Sequence, residues 1–311
     1  MRGGLVRIKL LGSAAGGGLP QWNCHCSNCD GARAGRIPAR TQSSVAFSAD
    51  GDAWFLINAS PDIRPQLESL PRGESGARAK PFEAILLSNA DLDHSLGLLM
   101  VREGGPVNVY SSKEIWQTVA EALAFERILG AFSGRGTAGM SWHRLDHECI
   151  ELETAGGIPT GLRLKTHMLL GDPPSYDQSQ GSGAGHACAL EINDERSGAR
   201  VVCALDVAAP HPELMNAIST ADLSIVDGTF WSPAEMIDLG FSTRTSAEMG
   251  HWPISGETGS LTTFMGTARK GQLVYSHINN TNPILDPDSP ERTEVKAAGL
   301  IIGEDGMEWT L

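Results

Sequence analysis

The strongest constraint on the fold is a pattern of punctuation: short apolar runs that stop at residues carrying a carboxylate or an imidazole. Phe82–Leu87 (FEAILL) is too brief for an ordinary helix and reads as a buried strand. It is followed at once by Ser88, Asn89, Ala90, Asp91, Leu92, Asp93 and His94, and from Asp93 the apolar spacing turns helical. Two later runs end alike: Val201–Leu205 stops at Asp206, and Gln272–Tyr275 is followed by Ser276 and His277. Strands that end on one edge of a layered β structure bring such groups into a single pocket.

Around these runs the chain reads as a single domain over residues 1–311. Val6–Leu11 is a strand entering a glycine-rich loop, and Ser43 onward gives a hairpin about Asp50-Gly51-Asp52. The spacing predicts helices near Ile63–Leu70, Lys113–Phe132, Gly259–Arg269 and Pro290–Ala298. Further strands are expected at Val107–Tyr110, Cys149–Leu152, Leu162–Thr166, Cys188–Ile192 and Leu223–Val226, with a turn at Asp194–Gly198. Leu70–Pro81 and Leu169–Gly185 read as surface loops, and Leu300–Leu311 as a closing hairpin. The 36 glycines and 17 prolines fit a molecule of turns and shaped loops better than a helical bundle.

A formal charge of -13 repels a phosphate backbone, and no basic patch offsets it, so nucleic acid is not an expected partner. No run of 18 apolar residues is present, and Arg7 and Lys9 interrupt the only N-terminal stretch resembling a leader. A cytoplasmic protein, without membrane association, is the expectation. Six cysteines are too few for a disulfide scaffold, and Cys149, Cys188 and Cys203 read as buried small apolar residues.

The other three cysteines stand in Cys24-His25-Cys26-Ser27-Asn28-Cys29, which gathers three thiols and an imidazole in one loop. Thiolates in a reducing compartment favour zinc, and a closed structural site needs a fourth ligand: His25, His251 or a carboxylate. Such a site staples the loop around residues 20–30 and leaves no position for substrate. The second constellation is different in kind. Asp91, Asp93, His94, Asp206 and His277 suit a divalent ion with open positions, and iron, zinc and manganese all fit that donor set. Asp91 and Asp93 also have the ordinary reading of carboxylates in a helix's first turn.

The order strand, SNADLDH, helix, then VVCALD, then VYSHINNTNP resembles the metallo-β-lactamase superfamily, whose H-x-H-x-D-H motif sits at this strand-to-helix turn. LLGSAAGGGLPQWNCHCSNC, LINASPDIRPQL and SHINNTNPIL resemble in particular the family of B proteins of pyrroloquinoline quinone (PQQ) biosynthesis, over nearly the whole chain. The resemblance implies an α+β four-layer αββα sandwich, two packed mixed sheets flanked by helices. It places Asn89 and Asp91 where the superfamily has its first two histidines, retains Asp93 and His94, and matches Asp206 to the bridging aspartate and His277 to the final histidine. Asp62 resembles an early aspartate that supports the metal loop. His167 and His186 lie in the region of the missing third-motif histidine, but one ion on Asp93, His94, Asp206 and His277 is the expected outcome. Related phosphodiesterases pair C-x-C-x-x-C with a late histidine, so the resemblance favours His251 over His25 as zinc ligand. His143, His147 and His211 match nothing.

The activity implied is iron- and O2-dependent hydroxylation of the tyrosine ring of a Glu–Tyr-derived precursor of PQQ, by a non-haem Fe(II) oxygenase. Arg64 and the Gln21-Trp22 pair are candidates to anchor the substrate. Two other readings are a carrier that binds PQQ itself and assists its release or transport, and a single-metal hydrolase. A homodimer is compatible with the acidic surface.

Overall fold

A computed structural model describes residues 5–71, 79–104, 106–133, 139–177 and 179–311, so most of the loop expected over Leu70–Pro81 lies outside the described residues. The strands are β1 (Arg7–Gly12), β2 (Ser44–Ser48), β3 (Trp54–Ile57), β4 (Ala84–Leu86), β5 (Val107–Ser111), β6 (Met140–Arg144) and β7 (Ile150–Glu153). They continue as β8 (Pro159–Gly171), β9 (Gly183–Asp194), β10 (Arg200–Ala204), β11 (Leu223–Asp227), β12 (Gln272–Ser276), β13 (Ile301–Ile302) and β14 (Glu308–Thr310). Together they make up two mixed sheets of seven strands. The chain contacts define two compact units: Met1–Leu11 with Ser44–Ala199 and Gly306–Leu311, and Gly12–Ser43 with Arg200–Asp305.

In the first unit one sheet runs β14-β1-β2-β3-β4-β5-β6. The β2–β3 hairpin forms as its turn chemistry directs. Asp50 Oδ1 accepts from the Asp52 and Ala53 amides at 2.9 and 3.0 Å, and the register pairs Phe47 with Phe55, whose rings stack at 5.4 Å. The three-residue β4 lies parallel between β3 and β5 with every side chain buried. β7, β8 and β9 form an antiparallel set.

Several expectations change. The helix expected from Asp93 is two short ones, Leu92–Ser95 and Gly97–Met100. The reason is backbone contact: the Ala59 amide donates to His94 O (2.7 Å) and the Gly97 amide to Ala59 O (2.8 Å), which lays residues 94–97 against 59–60. The helix expected over Lys113–Phe132 breaks at Ala124, which adopts a left-handed φ of 56°. β8 and β9 extend past their apolar cores, shrinking the loop expected over Leu169–Gly185 to 172–182. β6 had no clear apolar signal because it is a half-exposed edge strand, held by Trp142 stacked on Trp116 at 5.4 Å. The closing hairpin does not form, since β14 pairs with β1 and β13 with β12. Cys149 is exposed, whereas Cys188 and Cys203 are buried as expected.

The second unit is three successive strand–helix–strand steps. β10, β11, β12 and β13 are all parallel, and their crossovers carry the helices Pro212–Thr220, Ser260–Met265 and Pro290–Ala297. β11 (LSIVD) is buried throughout, as a central parallel strand must be. Parallelism puts the C-terminal ends of β10, β11 and β12 side by side, where α/β folds bind ligands. Segment 12–43 is tied to this unit by Asp305, which accepts from the Ser13 and Thr41 amides at 2.9 and 2.7 Å, and by buried Arg40, which donates to Ser13 Oγ and Gly303 O.

A Cβ on Gly97 would stand 2.4 Å from Ser60 O and 2.7 Å from Ala59 O, with backbone that cannot yield. Gly97→Ala should therefore lower the unfolding free energy by about 1–3 kcal/mol, read from urea denaturation.

Candidate metal centres

β11 ends in Asp227, and its buried carboxylate organises the edge of the second unit. Oδ2 accepts from the Val207 amide (3.0 Å) and lies 2.8 Å from His251 Nδ1; Oδ1 accepts from the Thr229 amide (2.9 Å) and hydroxyl (2.7 Å). Thr229 Oγ1, having donated to Asp227, lies 2.8 Å from His277 Nδ1. Both imidazoles are thus held at Nδ1, and a neutral ring that donates there keeps Nε2 as its basic nitrogen. Asp206, two residues beyond β10, lies with Oδ1 3.8 Å from His277 Nε2. Asp206, His251 and His277 offer ligand atoms within 4.8 Å of one another. His277 holds a left-handed φ of 57°, a strained conformation for a β-substituted residue.

Burial opposes charge here, yet pairing wins. Burial pushes the Asp227 carboxyl up, but the His251 charge and hydrogen bond and the His277 charge hold it below the usual carboxylate range. Burial pulls His251 down, and the adjoining Asp227 carboxylate lifts it above the ordinary imidazole value.

The first unit carries the SNADLDH segment. Asn89, at the position of a motif histidine, acts as an acceptor instead: its Oδ1 takes the Asp91 amide at 3.0 Å and lies 2.8 Å from His94 Nδ1. His94 is fully buried, with Nε2 3.6 Å from Asp93 Oδ2. Asn58 braces this turn, accepting the Ser88 amide and donating to Ser88 Oγ, both at 2.9 Å. Tyr176 donates to Ala90 O at 2.5 Å. Asp62 sits at the start of helix Ile63–Glu68, its amide donating to Ser60 Oγ. His167 pairs with Glu191 (2.9 Å) and His186 with Gly181 O (2.9 Å), so each has a local partner. His143 stacks on Tyr110, His147 is exposed and His211 precedes helix Pro212–Thr220. Arg64 is exposed, as is Trp22, at 86%.

Cys24, Cys26 and Cys29 bring their sulfurs within 4.8 Å of one another. Cys26 caps helix Ser27–Arg33, accepting from the Cys29 amide, and the amides of Cys26 and Gln21 point at Cys24 and Cys29 sulfur, both at 3.4 Å. Burial pushes the Cys29 thiol up to about 11; at Cys24 burial acts the same way, but hydrogen bonds from Cys26, Cys29 and Asn280 bring it below its usual value. The structure does not bring His251 to these thiols. Its ring is held by Asp227 with Asp206 and His277, and the side facing the sulfurs is taken by the Asn280 amide, 3.2, 3.6 and 3.4 Å from Cys24, Cys26 and Cys29. His25 is exposed and lies beside Asp30. Asp227, Thr229 and Asn280 escaped the sequence reading, although SIVDGT repeats the strand-then-carboxylate pattern that marks Asp206.

Parallel strands ending in Asp and His, and a motif turn at Asp93-His94, are features of one class, and comparison agrees: a family model described as Beta-lactamase superfamily domain matches residues 53–278. Coenzyme PQQ synthesis protein B of Methylorubrum populi is 39% identical over 97% of this chain and 99% of its own length, and that of Pseudomonas entomophila 39% over 98% and 99%. The Zn(2+)-bound PqqB crystal structure from Methylobacterium extorquens is 37% identical and superposes with a TM-score of 0.86 over 98% of this chain and 100% of that one. A diphosphatase of the PhnP family, 19% identical with a TM-score of 0.66 over 99% of this chain and 97% of that one, shares the fold. The chain belongs to the β-lactamase superfamily and, within it, to the family of coenzyme PQQ synthesis protein B. Its fold is the αββα sandwich of that superfamily.

The Asp227–His251 pair makes a signed prediction for metal-free protein. A raised His251 contributes stability fully below its ordinary value near 6.5, lost as pH rises through the raised folded value. In Asp227→Asn the buried imidazole lacks its counter-charge and is pulled down instead. The urea midpoint should fall with pH above neutrality in the parent and lose that slope in the variant.

Proposed function

We propose that this protein works in PQQ biosynthesis as an iron- and O2-dependent hydroxylase of the tyrosine ring of a Glu–Tyr-derived precursor. The observation that carries it is a pair of imidazoles, His251 in the loop that follows β11 and His277 just after β12, each held at Nδ1 and grouped with the Asp206 carboxylate so that one ligand atom of each lies within 4.8 Å of the others. Nitrogen and oxygen donors of this kind suit Fe(II). Asp206 and His277 would hold the ion, and the family motif assigns Asp93 and His94 to it, with Asp91 as a further carboxylate. Bound ferrous iron supplies the one-electron chemistry that O2 requires. The chain's own part is to fix the ligands: Asn89 orients His94, Thr229 orients His277, and Tyr176 and Asn58 hold the backbone of the motif turn.

The thiol cluster has a separate task. Cys24, Cys26 and Cys29 are soft donors already receiving amide hydrogen bonds, which fits a structural zinc, and the Asn280 amide, turned to present its oxygen, faces the fourth position. No helix of the described residues is long and apolar enough to cross a membrane, and kinship with coenzyme PQQ synthesis protein B supports a small peptide or peptide-derived substrate.

Ring hydroxylation inserts one oxygen atom of O2 and sends the other to water, with two electrons from an added reductant such as ascorbate. Anaerobic loading with Fe(II), then Glu–Tyr, ascorbate and O2, should give a product about 16 Da heavier, lost in His94→Ala and Asp93→Ala. No mass gain in folded, iron-loaded protein that binds PQQ tightly would reject the hydroxylase and favour a carrier.

A further inference from the structure

We infer that His251 is a ligand of the active-site metal, completing with Asp206 and His277 a two-histidine, one-carboxylate set built wholly from the second unit, with Asp227 as its orienting carboxylate. This deepens the proposed function and rests on its premise that a divalent ion binds at Asp206 and His277. Four observations support it.

The three side chains present ligand atoms within 4.8 Å of one another. The His251 and His277 rings lie 5.3 Å apart, centroid to centroid, at 29°. Two imidazoles on one ion, with metal–nitrogen bonds of about 2.1 Å and cis angles of 90–109°, put their centroids about 4.5–5.2 Å apart, so very little movement closes the set. Both rings are anchored through Nδ1 to neighbours two residues apart, Asp227 at 2.8 Å and Thr229 at 2.8 Å. A carboxylate on the far nitrogen is the usual support of a metal-bound histidine, raising its basicity and fixing its tautomer. Finally, His251 cannot easily swing elsewhere: its amide donates to Ser246 O at 2.9 Å, the Trp252 amide donates to Val207 O at 2.6 Å, and Phe230 packs edge-on against the ring at 5.6 Å.

The set has the two-histidine, one-carboxylate composition of a facial site. His251 itself lies in the loop between β11 and β12 and matches no motif histidine.

The test is Co(II) binding to protein already holding zinc on its thiols, followed by d–d absorption and by equilibrium dialysis. Parent protein should bind one further Co(II). His251→Ala should weaken that binding at least tenfold and change the d–d bands, while Asp227→Asn weakens it ten- to a hundredfold. Zinc content should not change in either variant. Unchanged affinity and spectrum in His251→Ala would overturn the assignment, as would loss of zinc with Co(II) binding intact. Should the variants unfold, anomalous diffraction from Co(II)-loaded parent crystals decides. His251 Nε2 about 2.1 Å from the ion supports ligation, and an ion on Asp206 and His277 with His251 at non-bonded distance overturns it. Parent protein that binds no Co(II) at all defeats the underlying metal reading instead.

Discussion

A carboxylate sealed from water at the end of β11 is the constraint from which the site follows. A buried charge is tolerable only when its lone pairs are satisfied, and Asp227 meets that condition with the Val207 amide, the Thr229 amide and hydroxyl, and His251. Each of those donors belongs to a different piece of the site. Val207 fixes the loop just after Asp206, Thr229 relays to His277, and His251 is held directly. One buried charge therefore bears on the position of the Asp206 loop, His277 and His251 together.

The thiol clip is joined to the same framework. Asn282 donates to Gly228 O and Thr229 O at 2.9 and 3.2 Å, while Asn28 donates to Asn280 O and Asn282 O at 3.0 and 2.9 Å. Residues 277–282 thus run from the strained His277 past Asn280 at the sulfurs to Asn282 under the β11 turn. Ordering the Cys24–Cys29 loop and holding His277 in its left-handed conformation are one structural problem, solved by one segment. That coupling ties the thiol loop to the segment that carries His277 and Asn280, the latter 251 residues from Cys29 in the sequence.

What could be read from residues alone was the strand-end grammar. Short apolar runs located β10 and β12, just beyond which Asp206 and His277 stand, and β4, whose chain turns into the short helix carrying Asp93 and His94, because a buried parallel strand has a clear signature. The second unit's strand–helix alternation was legible for the same reason. The αββα class itself came from motif resemblance and not from periodicity. His251 was misplaced because it lies in a long loop between β11 and β12, where no period fixes position and only a tertiary partner, Asp227, decides. Asn280 was missed because an amide is not an expected zinc donor, and β6 because an exposed edge strand lacks an apolar pattern.

The central claim is that this chain sorts two metals by donor chemistry: sulfur for a structural zinc, imidazole and carboxylate for an iron that does the work. X-ray absorption at both metal edges, on one sample reconstituted with zinc and Fe(II), tests it most directly. The account predicts zinc with three sulfurs at about 2.3 Å and one lighter donor, and iron with nitrogen and oxygen only. Sulfur at the iron edge, or zinc without sulfur, would contradict it.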